Sequence, residues 1–269
     1  MKLSEIYAVA NEIAPKRLSD EYCKTYGAYD NSGILVDTGD EINGVLFTLD
    51  LTAAAIAQAK EIGANLIITH HPVIYGKISH ILGEEPLGGK LVECIKNGIS
   101  VLSMHLNLDG VSGGIDDCLM QGVALAAGGT ATDIQVMHPL TGGGYGKAYG
   151  VAEVTLGALA KNMEKVFSTE RILVYGEKAE KIHRVASFCG SGVDESVIAY
   201  AADEHAGNAD VIISSDFKHH LIALALEQGL SVIILTHYAS ENYGFQQYYE
   251  KMCRQLHIPC VYHTDSELL

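Results

Sequence analysis

Histidine and carboxylate recur in three short constellations along the 269 residues. His70 and His71 stand side by side after the apolar run Asn65–Ile68 and Thr69, immediately before Pro72, which blocks continuation of a strand. Adjacent side chains on extended backbone diverge, so such a pair suits two cations better than one. His105 and Asp109 follow SVLSM as H-x-x-x-D, and His237 and Glu241 follow SVIIL as H-x-x-x-E. If a helical turn begins after each strand, residues four apart share a face, about 5–6 Å apart at Cβ. An imidazole offers one neutral lone pair to a cation, and a carboxylate can bridge two. Any one such pair alone is most often a surface hydrogen bond. Three at strand ends, two of them on a common template, read as the donors of a metal centre. Mixed nitrogen and oxygen donors suit zinc, iron, manganese or nickel better than magnesium or calcium. The expected cofactor is therefore two divalent transition-metal ions per subunit.

The elements that must position these residues are legible as alternating patterns. Apolar runs at Gly44–Leu51, Asn65–Ile68, Ser100–Met104, Arg184–Phe188, Asp210–Ile213 and Ser231–Leu235 predict buried strands. Segments with helical spacing lie between them at Leu51–Ile62, Leu87–Asn97 and Ile115–Ala127. The chain also echoes itself. AIAQAKEIGANLIITHHPV (Ala55–Val73) parallels VIAYAADEHAGNADVIISSDFKHH (Val197–His220), each ending in a histidine pair, and NGISVLSMHLNLD (Asn97–Asp109) parallels QGLSVIILTHYASE (Gln228–Glu241). These patterns predict an α/β fold of two related lobes, each a mostly parallel or mixed sheet covered by helices. The first lobe is expected over residues 1–128 plus 230–269 and carries most of the ligands; the second covers residues 129–229. Glycines at Gly128–Gly129 and in the Thr141–Gly144 loop mark the expected boundaries. Open α/β sheets bind ligands beyond the carboxyl ends of their strands, so the metal site is expected in the cleft between the lobes.

Composition narrows the function classes. Hydrophobic residues make up 48% and charged residues 19%, a globular balance. The formal charge of −15 would repel a polyanionic backbone and argues against nucleic acid as a partner. The N-terminal MKLSEIYAVANEIAPKRL alternates apolar and charged residues like an amphipathic helix, without the apolar core of a signal peptide. No stretch reaches transmembrane length, so no membrane partner is expected. The six cysteines are scattered without a C-x-x-C pair and read as reduced thiols, consistent with the cytoplasm.

Four residues are candidates for substrate contact: Asp30 and Asn31, although Asp-Asn also makes a good turn, and Lys218 and His220, which suit an anionic group but equally a solvated helix start. The glycines of TGGGYG lack the G-K-[ST] of a phosphate loop. Those of CGSG (Cys189–Gly192) follow a strand and allow either a tight turn or close approach to a ligand.

The strings YDNSG (Tyr29–Gly33), TLDLT (Thr48–Thr52), LIITHHPVIY (Leu66–Tyr75), SMHLNLDG (Ser103–Gly110), SDFKHH (Ser215–His220) and THYASE (Thr236–Glu241) occur in an order that strongly resembles one family. It is the GTP cyclohydrolase type 2 homologue family, also called the NGG-interacting-factor-three-like family. The resemblance implies that His70, His71, Asp109, His237 and Glu241 ligate two metals, with His105 a further ligand or a residue behind one. It also implies a ring-shaped homohexamer and hydrolytic opening of the GTP imidazole ring. Leu106 stands where the family usually has threonine, and Ser215 where it has glycine before aspartate. The function expected is that of a metal-dependent hydrolase acting on a nucleotide or related small molecule. The alternative is a non-catalytic, metal-handling ring scaffold.

Overall fold

The predicted strands are short and buried on both faces, which is why they read as continuous apolar runs rather than as alternation. The computed structural model describes all 269 residues. In chain order it contains α1 (Leu3–Ile13), α2 (Lys16–Tyr26), β1 (Gly33–Val36), β2 (Val45–Thr48), α3 (Ala53–Glu61), β3 (Leu66–Thr69), α4 (Pro86–Lys96), β4 (Ser100–Ser103), α5 (Leu106–Gly110) and α6 (Ile115–Ala126). There follow β5 (Thr132–Leu140), β6 (Gly143–Thr155), α7 (Leu156–Val166), β7 (Leu173–Tyr175), β8 (Lys181–Ser187), α8 (Glu195–Ala202), β9 (Val211–Ser214), α9 (His219–Glu227), β10 (Ser231–Ile234), α10 (His237–Cys253) and β11 (Cys260–Tyr262). No helix is long and apolar enough to cross a membrane.

The fold is α/β with two sheets covered by helices, one of five strands in the order β1-β4-β3-β2-β11 and one of six in the order β5-β6-β8-β9-β10-β7. In the first, β11, β2, β3 and β4 run parallel and β1 closes the edge antiparallel to β4. Leu46, Ile67 and Val101 lie in register on neighbouring strands and pack into one cluster with Ala55, Ile56 and Ala59 of α3 and Leu91 and Cys94 of α4. The ring of Phe47 instead meets Phe245, Tyr248 and Tyr249 of α10. Both faces are thus closed, and truncating a central residue such as Ile67 to Ala would cost about 2–5 kcal/mol.

The chain divides into two compact units, residues 1–111 with 245–264 and residues 112–244 with 265–269. The sequence reading put the breaks at 128 and 230. They fall instead at 111 and inside α10, because β10 pairs with β9 and β7 of the six-stranded sheet and α6 packs on α7 and β6. His237 and Glu241 accordingly belong to the second unit. The Thr141–Gly144 loop is no boundary either; it turns the long antiparallel hairpin β5–β6, which pairs from Leu140↔Gly143 to Thr132↔Gly150.

The internal echo is a repeat of topology. β1-β2-α3-β3-α4-β4 and β7-β8-α8-β9-α9-β10 have the same course, with the first strand antiparallel at the edge beside the last. Thr69 pairs with Ser103 and Ser214 with Ile234, so the residues that leave the equivalent strands β3 and β9 are His70–His71 and Ser215–Asp216. The sequence echo matched His70–His71 to His219–His220, but those two open α9.

Candidate metal centre

In the first unit the donors converge from two strand ends. Chain direction carries β3 and β4 out of the sheet side by side, and His70–His71 and His105 follow them. The ring nitrogens of His70, His71 and His105 offered for coordination lie within 4.8 Å of one another. His105 precedes α5, whose first turn is closed by the Asp109 amide donating to the His105 carbonyl at 3.0 Å. That turn brings the Asp109 carboxylate round to His70, with Oδ1 3.4 Å from His70 Nε2. Both side chains are buried. The helical turn expected after His105 is present, but its carboxylate faces His70 rather than the histidine four residues back.

The other nitrogen of every imidazole is held by an oxygen. His70 Nδ1 lies 2.8 Å from the carbonyl of Met104, which can only accept, so this nitrogen carries the proton and Nε2 keeps the lone pair. His71 Nδ1 lies 2.8 Å from Asp50 Oδ1, and His105 Nδ1 2.8 Å from Asp30 Oδ1. The backbone of His71 is also anchored, since Thr69 and Ser103 hydroxyls donate to its carbonyl at 2.8 and 3.0 Å.

Asp30, expected at the substrate, has a side chain only 1% exposed and orients His105 instead. Hydroxyls of Ser19 and Ser32 donate to its Oδ2 at 2.5 Å. Burial alone would raise this carboxyl's pKa, but the bonds from His105, Ser19 and Ser32 outweigh it and hold the group well below the usual carboxylate range. Asn31 donates its amide to the Ile74 carbonyl at 2.6 Å.

The second unit supplies one histidine and one carboxylate on the first turn of α10. His237 Nε2 is 3.2 Å from Glu241 Oε1, the i,i+4 pairing expected from the sequence, and Glu241 is buried. His237 Nδ1 is again engaged, 2.6 Å from Asp216 Oδ2. Asp216 has a positive φ of 51°, a conformation uncommon for non-glycine residues and found where the surroundings impose it. The CGSG loop packs directly on the pair: at Gly190 (φ +59°) a Cβ would stand 2.4 Å from Glu241 Oε1 and 3.5 Å from His237 Cε1. Glycine is required there because the loop closes directly against the Glu241 carboxylate.

A buried ion pair fixes that loop. Asp116, fully buried, accepts from the Cys189 amide (3.1 Å), the Gly146 amide (2.9 Å) and Lys147 Nζ (2.5 Å). Lys147 Nζ also meets Asp117 Oδ1 at 2.9 Å. Burial would lower the lysine pKa, but the two aspartates more than reverse this and keep the ammonium charged. The Gly190 carbonyl accepts from Ser215 and Ser214, and its amide donates to Ser240. Lys218 caps the start of α9 and His220 lies in its first turn, both exposed. Neither is hydrogen-bonded to His237 or Glu241.

Sequence reasoning missed Asp50 and Asp216. Asp50 stands in the TLDLT string two residues beyond the end of β2, and Asp216 at the place in the second sheet that His71 holds in the first. Imidazoles anchored through Nδ1 and aimed through Nε2, beside buried carboxylates, fit divalent transition metals.

Such donors behind the strand ends of a twofold-repeated α/β architecture define a class of candidate metal-binding proteins. A family model described as Duf34/NIF3 (NGG1p interacting factor 3) matches residues 1–265, and the chain belongs to this family. A relative from Clostridium perfringens named "GTP cyclohydrolase 1 type 2 homolog" is 32% identical over 244 residues, covering 90% of this chain and 87% of its own. Among solved structures, reduced HcgD from Methanocaldococcus jannaschii is 27% identical with a TM-score of 0.78, covering 97% of both chains. A Bacillus cereus protein related to NIF3 shares the fold at a TM-score of 0.82 and 19% identity, over 98% of this chain and 96% of that one.

Proposed function

We propose that the chain is a metal-dependent hydrolase of a nucleotide or related small molecule, with two divalent transition-metal ions per subunit. The observation that carries this reading is the common arrangement of four histidines, each with Nδ1 held by an oxygen, which makes Nε2 the nitrogen to coordinate. Ligating histidines have this outer hydrogen bond almost without exception, because it fixes the ring and its tautomer. The ligands proposed for the two ions are His70, His71, His105 and Asp109 in the first unit and His237 and Glu241 in the second. Bound there, two cations would lower the pKa of a water toward neutrality and polarise a substrate oxygen. The protein's own part is orientation. Asp50, Asp30, the Met104 carbonyl and Asp216 hold the rings, and Asn31, Lys218 and His220 are proposed to contact the substrate, the last two at an anionic group.

GTP is the first substrate to test, because relatives carry the name of a GTP cyclohydrolase homologue. Metal-loaded protein should release formate from GTP, stop on chelation and lose turnover in Asp109→Asn. Metal-dependent cleavage of another nucleotide or ester instead would keep the hydrolase and discard GTP. Tight metal binding with no turnover of any tested substrate would favour a metal-handling scaffold. The assembly proposed is a closed homohexamer, which light scattering should report; a monomer at micromolar concentration would refute it.

A further inference from the structure

Of the fourteen tyrosines in the chain, twelve are buried or half-buried, and only Tyr29 and Tyr75 stand largely in solvent. They are neighbours. Their ring centroids are 5.3 Å apart with the planes at 82°, so the two rings form an L-shaped corner. Tyr75 donates its hydroxyl to the Tyr29 carbonyl at 2.9 Å, which fixes one ring against the backbone of the other. The Asn31 amide bonded to the Ile74 carbonyl ties the same two loop segments together from behind. Tyr75 also stands perpendicular to the imidazole of His105, at 6.3 Å between centroids. An aromatic pair that leaves half its area in water gives up burial that the other twelve tyrosines gain, while its hydrogen bonds hold it in one geometry. Rigid, half-exposed tyrosines beside a polar centre provide contact area at low cost in conformational entropy.

We propose that Tyr29 and Tyr75 form a stacking platform for a planar nitrogen heterocycle, which they present to the His105 side of the metal centre. This rests on the reading of that centre as hydrolytic and adds to it the class of group it acts on. A flat ring laid on one tyrosine face meets the edge of the other, the offset and edge-to-face arrangements that aromatic quadrupoles favour. The platform offers faces rather than a ladder of donors and acceptors, so it selects flatness and π-character over one particular ring. A side-chain oxygen remains on Asn31 as an acceptor for an exocyclic amine.

The test uses the full chain and the fluorescent nucleotide 2-aminopurine riboside 5′-monophosphate, whose emission is quenched by stacking. Quenching titrations are run on metal-loaded and on chelator-treated protein, with metal content measured in parallel. Wild-type protein should quench the probe, and Tyr75→Ala and Tyr29→Ala should each weaken binding about tenfold with metal content unchanged. Tyr75→Phe, which keeps the ring and loses the bond to the Tyr29 carbonyl, should retain most of the affinity. Ribose 5-phosphate, lacking the heterocycle, should not compete at concentrations where AMP does. Absence of quenching by wild-type protein, or unchanged affinity in both alanine variants, would overturn the platform whatever the metal content. Loss of the metal reading would appear separately, as metal-free protein whose quenching still responds to the tyrosine variants.

Discussion

The two sheets follow one course and end in different chemistry. Where β3 leaves the first sheet the chain places His70 and His71; where β9 leaves the second it places Ser215 and Asp216. One imidazole in the second unit stands against three in the first, and the aspartate at the equivalent of His71 is hydrogen-bonded to His237. Asp109 reaches across to His70, whereas Glu241 pairs with the histidine on its own helix. The first unit therefore holds three imidazoles whose donor nitrogens cluster within 4.8 Å, and a carboxylate beside one of them, His70. The second holds two donors, short of the four that zinc ordinarily takes. A repeated framework has kept the strand ends as the place where donors are mounted, while letting each repeat mount a different number.

The largest effect expected from breaking this asymmetry is on the carboxylates. Asp109→Asn and Glu241→Gln preserve shape and remove the charge that neutralises cations, and each should lose at least one metal ion with the circular dichroism of the fold retained. His237→Ala should leave one ion bound, because the clustered imidazoles of His70, His71 and His105 remain. Removal of both ions by His237→Ala would show that the first unit is not sufficient.

Next in size is the ion pair behind the CGSG loop. Lys147→Ala leaves Asp116 buried beside two amides without its ammonium, and chemical denaturation should show a loss of about 3–5 kcal/mol. A change below about 1 kcal/mol would mean that the pair contributes little beyond hydrophobic replacement.

Smaller effects are expected from the residues behind the histidines. Asp50→Ala and Asp216→Ala should each weaken metal binding roughly 10–100-fold, read by competition with a chromogenic chelator. Asp216 is the more solvent-exposed of the two, so its variant should lie toward the low end. Equal affinity in both variants and wild type would remove the outer hydrogen bonds from the account.

Much of this was readable from residues alone, for identifiable reasons. Strands β2, β3, β4, β9 and β10 are short apolar runs because both faces are covered; helices α3 and α6 fall within the segments of helical spacing, and α4 starts one residue before its segment. The first turn of α10 was legible because four-residue spacing is a local property. The hairpin β5–β6 was not, since the glycines that weaken its strand signal are demanded by packing: a Cβ on Gly146 would stand 2.2 Å from the Phe188 ring. Nor were the unit boundaries, which depend on β10 pairing with strands distant in sequence. Asp50 and Asp216 each act on a histidine 21 residues away, and such a pairing leaves no periodic trace. The sequence match of His70–His71 to His219–His220 followed residue identity, whereas sheet register matches them to Ser215–Asp216.

The central claim is that these histidines and carboxylates hold metal, and elemental analysis of the purified chain tests it most directly. After incubation with zinc, iron or manganese and removal of excess ion, the account predicts close to two transition-metal ions per chain. Protein that remains metal-free after all three incubations would contradict it.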